Sequence, residues 1–197
     1  MTRRAYILAA VVGLLVAAPA AAQTNVPVGP FRTIELHGNG AVMVRYAPVQ
    51  QVRIFQRNAR ISSIRLADRP SSEAEGSGRL IIETCPNRCP MGYHLVVEID
   101  TPDIEGVAVG GNGRIDVGSG FPRREGFAAA VKGSGRIDAR AIAAGDTSAA
   151  IKGDGDISLG PVDRLTAAVK GKGRIVYRGH PRLVSAITGG GRIEQAD

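Results

Sequence analysis

The chain has 197 residues, a formal net charge of +7, 26 glycines, no tryptophan and only 4% aromatic residues. So few rings argue against a globular sandwich, whose core they usually fill, and suit a narrow structure packed with small and branched aliphatic side chains. The positive balance favours anionic partners in a general way and serves solubility equally well.

The first segment reads as a secretory signal peptide, residues 1–22. Arg3 and Arg4 form a basic start, an apolar run extends from about Ala5 to Ala18, and Ala20-Ala21-Ala22 supplies a small-residue cleavage site. Cleavage near Gln23 takes the net charge from +7 to +5. No cysteine directly follows the run, so no lipoprotein attachment site is expected, and no later stretch is apolar enough for a transmembrane helix. The expectation is an exported, soluble protein of a Gram-negative type envelope, in the periplasm or at the cell surface. Roughly 175 residues remain after cleavage, enough for one domain with its own core.

Residues 23–30 carry two prolines and a glycine and read as a leader strand or link. Phe31 to His37 and Val42 to Ala47 alternate with period two, as strands do. Between them His37-Gly38-Asn39-Gly40 is a turn signal. Gln51–Gln56 and Arg60–Leu66 are further strands, and Arg69–Gly78 is a polar loop. Leu80–Glu83 and Tyr93–Ile99 flank Cys85-Pro86-Asn87-Arg88-Cys89 like the arms of a hairpin. Export implies an oxidising compartment, so a Cys85–Cys89 disulfide is expected to pin that hairpin. The spacing is not that of a thioredoxin-like motif, and two sulfurs with His94 nearby do not complete a zinc site.

From Val107 onward one phrase is written five times. Its copies are 109–115, 131–137, 151–157, 169–175 and 187–193, each an apolar β-branched residue, a Gly-x-Gly pair and an isoleucine. The first glycines fall at 111, 133, 153, 171 and 189, so the steps are 22, 20, 18 and 18 residues. A period near 20 marks a repeat architecture whose units bury their apolar faces on one another. The expected fold is all-β: a right-handed parallel β-helix, or β-solenoid, of 18–22-residue coils over 106–197. Residues 23–105 form an irregular N-terminal β region or cap of the same structural domain.

Aligning the copies produces rows. Val109, Val131, Ile151, Val169 and Ile187 form one apolar row, and Ile115, Ile137, Ile157, Ile175 and Ile193 another. The glycine pair either forms a corner of each coil or makes room inside it. Lys132, Lys152 and Lys170 form an outward basic row, and Arg114, Arg136, Arg174 and Arg192 a second, with an acidic row two residues on. One reading is a solvated, salt-bridged face. The other is a contact surface for acidic glycans or envelope polyanions.

Other chemistry finds little support. Gly-x-Gly followed by strand residues is not a nucleotide cradle, and no nucleic-acid partner is expected. The calcium-binding nonapeptide needs an aspartate where Ile115 stands. His37, His94 and His180 are scattered and pair with no nucleophile, so no catalytic, metal or cofactor residues are assigned. A polysaccharide-acting enzyme would rest on Asp154 and Asp156, the one close acidic pair within the phrase.

Phe31-Arg32-Thr33-Ile34-Glu35-Leu36, Val42-Met43-Val44, Gly78-Arg79-Leu80-Ile81-Ile82 and Leu95 to Asp103, followed by the Gly-x-Gly-x-Ile copies, resemble the bacterial "putative auto-transporter adhesin, head GIN domain" family. The resemblance covers most of the chain after residue 22. It implies a β-helix-like fold, an envelope or surface location and no enzyme activity, and it carries no catalytic residues over. The function expected is a non-enzymatic adhesin or envelope binding module; the alternative is a ligand-free periplasmic scaffold. The end of the solenoid is expected to offer an edge for homo-oligomer formation.

Overall fold

The structure is a computed structural model that describes residues 23–55, 62–67, 78–85, 93 and 95–196. The expected signal peptide, the start of the 60–66 strand, nearly all of the 69–78 loop, Cys89 and His94 lie outside the described residues.

The described chain is all-β. Its strands are β1 (Gln23–Val26), β2 (Phe31–His37), β3 (Gly40–Tyr46), β4 (Gln51–Phe55), β5 (Ser62–Ala67), β6 (Gly78–Thr84), β7 (Leu95–Thr101) and β8 (Gly106–Gly111). They continue as β9 (Arg114–Val117), β10 (Arg124–Gly133), β11 (Arg136–Ala139), β12 (Ala144–Gly153), β13 (Asp156–Gly171), β14 (Arg174–Arg178), β15 (Arg182–Thr188) and β16 (Arg192–Gln195). The alanine-rich Gly126–Val131 stretch is strand.

The strands form two ladders. In the first, β6, β2, β8, β10, β12, the second half of β13, and β15 run parallel in that order. In the second, β7, β3, β9, β11, the first half of β13, β14 and β16 do the same. The chain passes from the first ladder to the second through each Gly-x-Gly turn. β13 spans 16 residues and belongs to both ladders, joining them into one 16-stranded sheet that nearly closes on itself like a barrel. Short antiparallel strands finish one end: β5 lies on β6, β4 on β7 and β1 on β4.

The repeat is visible as register. Val109 lies beside Val131, Val131 beside Ile151, Ile151 beside Val169 and Val169 beside Ile187. Ile115, Ile137, Ile157, Ile175 and Ile193 align likewise in the second ladder. β-branched residues suit these positions because their stiff side chains pack on a pleated surface. The inner rows of both ladders meet in one apolar cluster running from Phe31 to Ile175.

Both readings of the glycine pair hold, one for each glycine. The first glycines sit at positive φ, from +111° to +128° over Gly111, Gly133, Gly153, Gly171 and Gly189, and so turn the corner between ladders. The second makes room inside: a Cβ on Gly155 would stand 2.5 Å from the Cγ1 of Val131. The turns also continue the ladder, since Ser134 N–H donates to Gly111 O and Asp154 N–H to Gly133 O.

Two N-terminal segments occupy these ladders. β2 and β3, joined through Gly38 at φ +97°, lie directly against β8 and β9, so His37-Gly38-Asn39-Gly40 is a further copy of the turn. β6 and β7 lie beyond them. The expected cysteine-linked hairpin is therefore corrected. β6 and β7 do not pair with each other; they lie in different ladders. The physical reason is pairing: β6 is held between β2 and β5, and β7 between β3 and β4, so both edges of each strand are already taken.

Candidate functional site: two basic rows on different ladders

Each strand alternates buried and exposed residues, so the inner rows dictate which side chains face out. In β10, Phe127, Ala129 and Val131 are buried while Ala128, Ala130 and Lys132 are exposed. The same alternation in β12 and β13 exposes Lys152 and Lys170. Lys132 pairs in register with Lys152, and Lys152 with Lys170. Adjacent strands lie about 4.8 Å apart, so the three lysines are neighbours in one column. The column ends at Thr188 on one side and at Gly110 and His37 on the other.

Beside the lysines runs an alanine column that sequence reading did not single out: Ala108, Ala130, Ala150, Ala168 and Ala186. It precedes the apolar residue in every copy, and that position was its signal. Methyl groups beside longer lysines make a shallow trough of about 660 Å³. Glu35 and His37 close one end, with His37 Nε2 3.6 Å from Glu35 Oε2.

The arginine row lies elsewhere. Arg114, Arg136, Arg174 and Arg192 belong to β9, β11, β14 and β16 of the second ladder, across the glycine turn from the lysines. The two outward faces turn away from one shared core, so the seven basic residues do not make one surface. The arginines also have partners. Arg114 Nε lies 2.8 Å from Asp116, Arg136 Nη2 3.1 Å from Asp156, and Arg174 Nε 3.3 Å from the same Asp156. Next to them Arg140 bonds Asp138 through Nε at 2.9 Å and holds that carboxyl below its ordinary value. No comparable carboxylate lies within ion-pair distance of Lys132, Lys152 or Lys170 among the described residues.

Both carboxylates of the acidic pair Asp154 and Asp156 are engaged by neighbouring groups. Asp156 is held between two arginines, and Asp154 Oδ1 accepts from the backbone N–H of Lys172 at 3.3 Å. Among the described residues no group of three or more His, Cys, Asp or Glu is placed to hold a metal ion. No helix among them is long and apolar enough to cross a membrane. A second, larger recess of about 1050 Å³ lies at the far edge of the first ladder. It is lined by opposed charges, with Arg32 donating to Glu105 at 2.8 Å and Arg123 paired to Asp163 at 2.5 Å. Its charges largely satisfy one another.

Stacked parallel ladders with one neutralised and one unneutralised basic face define an all-β repeat protein that presents an extended surface. Residues 123–181 match the family model described as "Putative auto-transporter adhesin, head GIN domain", so the resemblance read from the repeats is borne out over that segment. Among solved structures, a "putative adhesin" from Bacteroides fragilis aligns over 91% of this chain and 98% of its own, at 18% identity and a TM-score of 0.50, and shares the fold. A "putative adhesin" from Parabacteroides merdae aligns over 89% of this chain and 96% of its own, at 14% identity and a TM-score of 0.41. A "putative lipid binding protein" from Parabacteroides distasonis aligns over the same shares at 16% identity and a TM-score of 0.34. No protein of curated function matches the chain.

Proposed function

We propose that this chain is an exported, non-enzymatic binding module of the bacterial envelope, and that it takes acidic glycans on the lysine and alanine face of the first ladder. Its two ladders are read as successive turns of a flattened, right-handed parallel solenoid, with the Gly-x-Gly pair at one corner. The family match over 123–181 and the adhesin-like fold agree with an envelope or surface role.

The single observation that carries the reading is the unneutralised column Lys132, Lys152 and Lys170. Like charges directly opposite one another on neighbouring strands are destabilising. The arginine row of the same repeat relieves its own repulsion with Asp116 and Asp156. The lysine row has alanines beside it instead, which leaves the cations open and the floor flat enough for a sugar chain. A linear polyuronate carries one carboxylate per ring, and a ring is about as long as the 4.8 Å strand spacing.

The test is binding of the purified protein to polygalacturonate and to a neutral glucan at two salt concentrations. A triple variant, Lys132→Ser, Lys152→Ser and Lys170→Ser, is compared with Arg114→Ser, Arg136→Ser and Arg174→Ser. The expected result is salt-sensitive binding to the acidic polymer alone, weakened at least about tenfold by the lysine changes and little by the arginine changes. Removing stacked like charges should not unfold the protein, so a loss would report the site. Equal loss in both variants, or no binding by folded protein, would overturn the reading and leave the ligand-free scaffold in its place.

A further inference from the structure

β15 and β16 are the outermost strands at one end of the ladders, and their inward rows are not covered. Leu183 and Ile187 of β15 are 40% and 48% exposed, whereas their register partners Leu165 and Val169 are 1% and 2% exposed. Ile193 of β16 is only partly buried, while Ile175 beside it is fully buried. All seven residues of β15 are exposed, Val184 at 67%. The residues that hold every preceding pair of strands together here face solvent, next to a strand edge whose backbone groups are open to pairing. Such an edge is a template for another strand. The opposite end differs, because antiparallel strands β5, β4 and β1 complete it.

We propose that this end docks a second copy of the chain, β15 against β15 and β16 against β16, about a two-fold axis. The sequence of β15 is self-complementary in one register. Pairing antiparallel about Ser185 sets Leu183 opposite Ile187 of the second copy, Val184 opposite Ala186 and Arg182 opposite Thr188. Every residue of the strand is matched, both large inner residues are covered, and no arginine faces an arginine. Moving the axis by one residue, to Val184 or Ala186, would put Ser185 opposite Leu183 or Ile187 and leave the other large residue unmatched. In the second ladder, pairing about Ile193 sets that residue on its own copy and Arg192 opposite Glu194. Arg192 has no carboxylate at ion-pair distance among the described residues, while Arg114, Arg136 and Arg174 all do. Such an isologous contact closes at two copies. It would also make the first ladders of both copies one continuous sheet. The alanine column of each copy would then run on into Val184 and Thr166 of the other, and the contact itself does not depend on what the trough binds.

Sedimentation equilibrium of the purified protein, together with cysteine cross-linking, tests this. A reversible dimer is expected, converted to monomer by Leu183→Asp with Ile187→Asp; both sites are exposed, so these changes spare the core. At the axis, Ser185→Cys places two sulfurs on directly opposed residues. Their Cα atoms would lie about 4.5–5.5 Å apart, inside the roughly 4.4–6.8 Å range a disulfide spans. Oxidation should yield a covalent dimer linked 185 to 185 by peptide mapping, whereas Ala186→Cys, which faces Val184, should not. A protein monomeric at high concentration, a dimer indifferent to the Asp variant, or chains of copies longer than two would each overturn the proposal.

Discussion

Gly155 lies so close against Val131 of the neighbouring strand pair that a Cβ on Gly155 would stand 2.5 Å from Val131 Cγ1. The same hypothetical atom would be 2.5 Å from the carbonyl oxygen of Gly135. Gly155 is not among the positive-φ glycines, so what it supplies is space. Gly155→Ala should therefore destabilise the protein by about 1–3 kcal/mol through overpacking. Denaturant unfolding checks this, with Ser134→Ala, an exposed middle residue of a Gly-x-Gly turn, as a near-neutral reference. Equal stability of the Gly155→Ala protein would mean that the strand pairs can spread apart.

A pH dependence follows from Asp138. Hydrogen bonds from the Arg140 side chain hold its carboxyl below the ordinary aspartate value of 3.8, and they outweigh desolvation, which pushes the other way. A carboxyl depressed in the folded state binds protons less well there than in the unfolded chain. Its contribution is thus complete above about pH 4 and lost as pH falls through the lower folded value. Arg140→Ala should remove that part of the acid dependence while changing stability little at neutral pH, since exposed pairs contribute only about 0–1 kcal/mol. Urea midpoints measured between pH 2 and pH 7 are the check, and identical acid limbs in the two proteins would contradict it.

The cysteines offer a third measurement. Cys85 is buried, at 8% exposure, and sits at φ +33°, where the chain leaves β6. The Cys85–Cys89 link expected from the sequence should leave no thiol to alkylate in the native protein and yield one crosslinked peptide. By chain entropy, closing so short a loop contributes about 2 kcal/mol. Loss of stability on reduction, by roughly that amount, is the expected outcome. Ready alkylation of unreduced protein would exclude the link.

How far the fold was legible depends on how each part is encoded. In 106–197 every pair of strands repeats the same phrase, so strands, inner rows and turn positions could all be read from spacing. In 23–105 only His37-Gly38-Asn39-Gly40 carries part of the phrase. β6 and β7 carry an apolar alternation that fits a hairpin as well as two separate ladders, and only their pairing with β2 and β3 separates the alternatives. His37-Gly38-Asn39-Gly40 resembled the repeat, but its place against β8 and β9 follows from the chain returning to it at Gly106. Local pattern says nothing about such a return, because it costs only loop entropy that grows slowly with length.

The candidate site divides in the same way. By itself the sequence determined which residues face outward, because a period of two leaves no choice once the inner rows are apolar. It therefore named the lysines and arginines correctly as exposed rows. Only the tertiary structure decided that the positive φ of Gly133, Gly153 and Gly171 carries the chain from one ladder to the other between each lysine and the next row residue. That corner sends two rows four residues apart to different faces, one lined by carboxylates and the other by alanines. Charge spacing along the chain cannot reveal this, because the sense in which a residue faces a partner is set by backbone direction, and backbone direction changes at the glycine.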